Sequence, residues 1–97
     1  MNLNEFNSIT QSDDKKIVVI SATWCAPCKS LKRTINSITD KQPHLKDHFI
    51  ILDIDDCDEI VQAHEIQSVP TTFFINNKTY TEHKGLIKEQ TILDFFK

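Results

Sequence analysis

Two cysteines, Cys25 and Cys28, stand two residues apart in the stretch Thr23-Trp24-Cys25-Ala26-Pro27-Cys28-Lys29. A pair so spaced serves either thiol–disulfide exchange or half of a metal site. An apolar run, Ile17-Val18-Val19-Ile20, comes just before it, and Leu31, Ile35 and Ile38 recur behind it at helical spacing. That order reads as buried strand, short loop, cysteine pair, helix. The pair therefore falls at a helix N-terminus, where unpaired N–H groups and the helix dipole favour negative charge. A thiolate is negative, so this position makes a cysteine a nucleophile near neutral pH. Cys25, the first of the two, is the expected nucleophile, and Cys28, one turn on, is close enough to form a disulfide with it.

The metal alternative needs more ligands than the sequence groups together. Zinc normally takes four, and Cys57 with His44, His48, His64 and His83 forms no second ligand pair. The four histidines read as surface residues. Cys57 reads as a small buried or half-buried residue, with a regulatory thiol as the alternative.

The chain has 97 residues, the length of one domain spanning 1–97. Its net charge of −3 gives no basic surface for nucleic acid or an anionic membrane. No stretch approaches the roughly 18–20 apolar residues that span a bilayer, and Met1 to Phe6 lacks the basic-then-apolar order of a signal peptide. Three cysteines are too few for a secreted disulfide scaffold. A reducing compartment, the cytoplasm, is expected, and the protein is expected to be a monomer.

The elements that must position the pair follow from the hydrophobic pattern. A short amphipathic helix is expected over 3–11, carrying Leu3, Phe6 and Ile9. Strands are expected over 17–21 and 49–54, both buried on both faces, joined through a helix over about 26–40. Pro27 suits the first turn of that helix, where its missing N–H has no helical partner. Gln42-Pro43-His44 should break the pattern. Asp55 to Asp58 suits a turn and a helix start, with Ile60, Val61 and His64 on the helix that follows. A strand over 71–75 should turn at Asn76-Asn77 into a polar, lysine-bearing edge strand over 78–83 that Gly85 ends. The last helix, 88–97, should turn Ile92, Phe95 and Phe96 inward. The sum is an α/β fold, a mixed four-stranded sheet with helices on both faces.

On these residues the sequence resembles the thioredoxin family. The match rests on Trp24-Cys25-Ala26-Pro27-Cys28-Lys29, Leu52-Asp53-Ile54-Asp55, Val69-Pro70-Thr71 and Gly85, in identity and in spacing, and covers roughly residues 5–97. The resemblance implies a thioredoxin fold and a dithiol that reduces protein disulfides through a mixed disulfide. It implies no bound cofactor and no metal, with electrons arriving from NADPH through a thioredoxin reductase. The implied partners are that reductase and disulfide-containing client proteins. Proline between the cysteines goes with reductants in this family. Pro70 is expected to be cis, leaving the Val69 backbone free to pair with an extended substrate beside Cys25. Trp24, Ala26, Pro27, Ile54, Lys84 and Gly85 are expected to complete the groove, Trp24 as an apolar contact surface.

Four positions depart from the family pattern. Ala26 stands where glycine is usual. The first strand of the common five-stranded form reads as short or absent, since only Met1-Asn2 precedes the first helix. The family's buried aspartate, six residues before the first cysteine, falls on Val19, and its buried lysine partner falls near Ile51. Losing both is coherent, because losing one would strand a buried charge at about 3–5 kcal/mol. Without that carboxylate, Cys28 is expected to lose its proton to water or to the departing thiolate. Besides a general reductase, the sequence leaves open a reductase dedicated to one client and a non-catalytic accessory subunit that grips a partner through the groove. A glutaredoxin fits less well, since no basic cluster stands ready for glutathione carboxylates.

Overall fold

The structure, a computed structural model, describes all 97 residues. Helix α1 (Leu3–Thr10) starts at Asn2, whose side chain accepts the Glu5 N–H at 2.8 Å and so satisfies one of the free donors of the first turn. Strand β1 (Lys16–Ser21) follows, then helix α2 (Ala26–Lys41). A 3₁₀ helix, Pro43–His48, leads into strand β2 (Phe49–Asp53). A second 3₁₀ turn, Ile54–Asp56, leads into helix α3 (Asp58–Ala63). Strands β3 (Thr71–Asn76) and β4 (Thr79–Lys84) form a hairpin, and helix α4 (Glu89–Phe95) closes the chain.

The four strands make one mixed sheet in the order β2-β1-β3-β4, with β1 parallel to β2 and antiparallel to β3. Because side chains alternate along a strand, each face of the sheet holds its own core. On one face Val18, Ile20, Phe73 and Ile75 pack with Phe6 of α1 and Ile60 of α3. On the other, Ile17, Val19 and Phe74 pack with Leu31, Ile35 and Ile38 of α2 and Ile92 of α4. The expected architecture, a central sheet with helices on both faces, is present. Helix α2 thus covers the face of β1 opposite α1 and α3, with its N-terminus just beyond the C-terminal end of that strand.

Several local expectations are corrected. Strand β2 is not buried on both faces: it is an edge strand of half-buried residues, and Ile51 is 40% exposed. The 43–48 segment is a 3₁₀ helix, not a plain break, and it buries Leu45. The hairpin turns one residue later than expected. Asn76 pairs with Thr79, and Asn77 and Lys78 carry the positive φ values, 53° and 63°. Two left-handed residues match a type I′ turn, whose twist fits the paired strands. The Lys78 N–H also bonds Ser12 O at 3.0 Å, tying the turn to the loop after α1.

None of the four histidines is buried, as expected, although His48, His64 and His83 are half-buried and make specific contacts. His48 Nδ1 lies 2.6 Å from Lys15 O, His64 sits edge-on to Phe6 and Phe73, and His83 lies against Phe74.

Candidate redox site

Cys25 is the N-cap of α2, with extended backbone (φ −97°, ψ 113°). Its sulfur accepts the Cys28 N–H at 3.2 Å, taking the place of the serine or aspartate oxygen that usually caps a helix. Pro27 occupies the first turn, as its geometry favours. No acidic residue stands in that turn to oppose a thiolate. The Cys25 and Cys28 sulfurs are joined as a disulfide. Cys28 is fully buried, while Cys25 keeps 5% exposure, so any partner must approach the pair from the Cys25 side.

The second wall comes from the loop before β3. The Val69-Pro70 bond is cis, as expected, and Cys25 Sγ lies 3.6 Å from Val69 O. Pro70 O accepts the Gly85 N–H at 2.8 Å, which links this loop to the end of β4. Gly85 has φ +86°, a left-handed conformation that a side chain would strain, although nothing lies within 4 Å of where a Cβ would stand.

Val69 and Ile54 pack against the cluster of Ala22, Cys25 and Cys28. Trp24 stands 73% exposed beside them, and Ala26 and Pro27 are exposed as well. Lys84 is exposed and is the register partner of Thr71, the residue after Pro70.

Of the residues singled out in the sequence, the structure gathers Cys25, Cys28, Val69 and Ile54 into one cluster, with Trp24 and Pro27 flanking it in the chain. One cluster member was missed. Ala22, 1% exposed, accepts the Cys25 N–H through its carbonyl at 3.3 Å. Its only signal in the sequence is its place between strand and loop. Cys57 lies elsewhere, in the core on the α1 and α3 side, and its thiol donates to Asp53 O at 3.2 Å. Burial is the largest influence and pushes that thiol's pKa up; the N-terminal amine pulls it down, and the charges of Asp53, Asp58 and Asp56 each push it up by less. No group of three or more His, Cys, Asp or Glu side chains is placed to hold a metal ion. No helix is long and apolar enough to cross a membrane.

Comparison with known proteins agrees with this geometry. The thioredoxin family model matches residues 1–97. A thioredoxin from Gallus gallus is 35% identical over 92 residues, covering 92% of this chain and 86% of the relative. One from Ophiophagus hannah is 34% identical over 91 residues, covering 91% and 85%. Among solved structures, mitochondrial thioredoxin 3 from Saccharomyces cerevisiae in its oxidised form superimposes with a TM-score of 0.75 over 96% of this chain and 86% of its own, at 24% identity. A thioredoxin from Trypanosoma brucei brucei gives 0.76 over 99% and 86%, at 22% identity. A cysteine that caps a helix, bonded to a second one turn on and faced by a cis-proline loop, is the working part of a thiol–disulfide oxidoreductase, and with these matches the chain belongs to the thioredoxin family.

Proposed function

We propose that the protein is a general protein-disulfide reductase of reducing compartments, the cytoplasm first among them. It works as a single-domain monomer, recharged by NADPH through a thioredoxin reductase. The observation that carries this reading is the position of Cys25. Its sulfur caps α2 and lies 3.6 Å from Val69 O, on the side of the pair that opens to solvent. An extended client can pair its backbone with Val69 and so bring its own disulfide against Cys25. Trp24, Ile54 and Gly85 offer contact around that point without demanding a particular side chain, which favours many clients over one.

The chemistry runs in two exchanges. In the dithiol form the α2 N-terminus favours the Cys25 thiolate. Its sulfur attacks one client sulfur, a Cys25–client bond forms, and the other client sulfur leaves as a thiolate. Cys28 then attacks Cys25 Sγ. The Cys25–Cys28 bond forms, the Cys25–client bond breaks, and the second client sulfur leaves with the electron pair. The protein loses two electrons and two protons in all, and the client gains them. The reductase reverses this on the protein.

The test is reduction of insulin disulfides, fed either by NADPH with a thioredoxin reductase or by dithiothreitol. Turnover in both is expected. Turnover with dithiothreitol alone would assign the protein to a specialised system with its own reductase. Failure in both, with the protein folded, would overturn the general reductase and leave a dedicated client or an accessory binding role.

A further inference from the structure

Thr71 and Thr72 stand side by side at the start of β3, and both are buried, at 0% and 1% exposure. Thr71 Oγ1 donates to Ser68 O at 2.7 Å. Thr72 Oγ1 has no partner, and it is the one buried side-chain nitrogen or oxygen in the chain left in that state. A buried, unpaired hydroxyl destabilises a fold, whereas valine, of nearly the same shape, would fill the space without that cost. The hydroxyl is therefore a feature to be explained.

Strand register shows what it stands beside. Thr72 is the partner of Val19 on β1 and of His83 on β4, and Val19 is the partner of Ile51 on β2. Directly paired residues point to the same face of a sheet. Ile51, Val19, Thr72 and His83 thus form one row across the face that α2 covers. Val19 packs in the same cluster as Leu31 of α2, and Cys28 is the buried residue one turn before Leu31. Cys28 shares the buried face of α2 with Leu31, Ile35 and Ile38, the face that lies over this row, and packs at its N-terminal end with Ala22 and Cys25. Ile51 and Val19 bring no polar atom to it. His83, at the far end, is half-buried and lies against the Phe74 ring, 4.6 Å between centroids.

The Cys28 sulfur is the complementary case. It is fully buried, and in the disulfide it needs no hydrogen-bond partner. Once the disulfide opens, the buried thiol becomes a weak donor and acceptor, and the thiolate it forms during resolution needs a hydrogen-bond donor. A hydroxyl unpaired in the oxidised protein stands on the sheet face that α2 covers, and a sulfur that ionises in the reduced protein stands on the buried face of α2.

We propose that Thr72 Oγ1 is the hydrogen-bond partner of the Cys28 sulfur in the reduced protein, so that the hydroxyl left unpaired by the disulfide is satisfied when it opens. This rests on the reductase reading and adds to it how the resolving cysteine is stabilised in a chain with Val19 beneath it. In resolution Cys28 gives its proton to solvent, and the Thr72 hydroxyl donates to the resulting thiolate. That thiolate attacks Cys25 Sγ, the Cys25–client bond breaks, and the client thiolate takes a proton from solvent. When the new disulfide forms, the Thr72 bond is lost.

The test is the thiol–disulfide equilibrium of the protein against dithiothreitol, which needs neither client nor reductase and so stands whatever the insulin result. Thr72→Val should shift the equilibrium toward the disulfide by about tenfold, which is about 30 mV more negative for this two-electron couple. Thr72→Ser should restore it. Unfolding by denaturant supplies the control: Thr72→Val should leave the oxidised protein as stable as before or more so, while destabilising the reduced one. A Thr72→Val protein whose two redox forms shift together, with its equilibrium unchanged, would make the hydroxyl a structural remnant and overturn the proposal.

Discussion

Cys25 and Cys57 are both buried cysteines at the N-cap of a helix, yet their surroundings differ in hydrogen bonding and in charge. Cys25 caps α2, a helix of 16 residues with no acidic residue in its first turn, and its sulfur accepts an N–H of that turn. Cys57 caps α3, a helix of 6 residues that opens on Asp58 and Glu59, and its side chain makes no capping bond. Its thiol instead donates to Asp53 O. Accepting from an N–H suits a sulfur that becomes negative, while donating to a carbonyl suits one that stays protonated. The Cys57 thiol is held above its ordinary pKa by burial first, with its aspartate neighbours adding to that against the pull of the N-terminal amine. A helix N-terminus is thus not sufficient to activate a cysteine. At Cys57 burial, a thiol that donates to a carbonyl, and acidic neighbours together keep the sulfur protonated.

The contrast can be broken outright, inverted or merely shifted. Cys25→Ser should bring insulin reduction down to background, while Cys57→Ser should leave at least half of it. Loss of activity in both would erase the distinction. Giving α2 the charge that α3 carries should slow the first exchange. Ala26→Asp is expected to reduce the rate of attack on a small disulfide roughly two- to fivefold at neutral pH, the usual size of a charge effect at a helix terminus. Stopped-flow mixing of the reduced variant would show it, and an unchanged rate would remove first-turn charge from the account.

The smallest effect concerns stability. The raised pKa of Cys57 means the folded protein keeps this thiol protonated after the unfolded chain has begun to ionise. The stabilisation is complete below the ordinary thiol pKa of about 8.5 and is lost as pH rises from there toward the folded value. The gap in unfolding free energy between the wild type and Cys57→Ala should therefore narrow from about pH 7 to about pH 10. A gap constant across that range would mean that burial does not hold the thiol neutral.

The redox pair was legible because its chemistry is local. Spacing, the preceding apolar run and the following helical period all lie within a short stretch. The Val69-Pro70 wall came only through family resemblance, since nothing in a linear sequence brings Val69 to Cys25. Strand β2 was misjudged because an apolar run looks the same whether a sheet continues beyond it or stops. Phe49 to Leu52 reads as doubly covered, yet the sheet ends there. The contacts of the histidines were illegible for a related reason. His64 owes its partial burial to Phe6, Phe73 and Tyr80, which lie far from it in sequence. Thr72 gave no signal at all, because an unpaired hydroxyl is a property of its neighbours, not of threonine.

The two borders of the sheet are unequally guarded. On β4 the outermost strand carries Glu82, His83 and Lys84, and it is stitched to β3 by a tight turn. On β2 the outermost strand is Phe-Ile-Ile-Leu-Asp, held to β1 alone and reached only after α2 and a 3₁₀ helix. As an edge strand it turns alternate backbone amides away from β1, where no further strand pairs with them. In the language of amide hydrogen exchange, the molecule has a soft border and a firm one. Deuterium should enter first along the outward amides of β2, while the fully enclosed amides of β1, the strand that leads into the cysteine pair, should hold their protons longest.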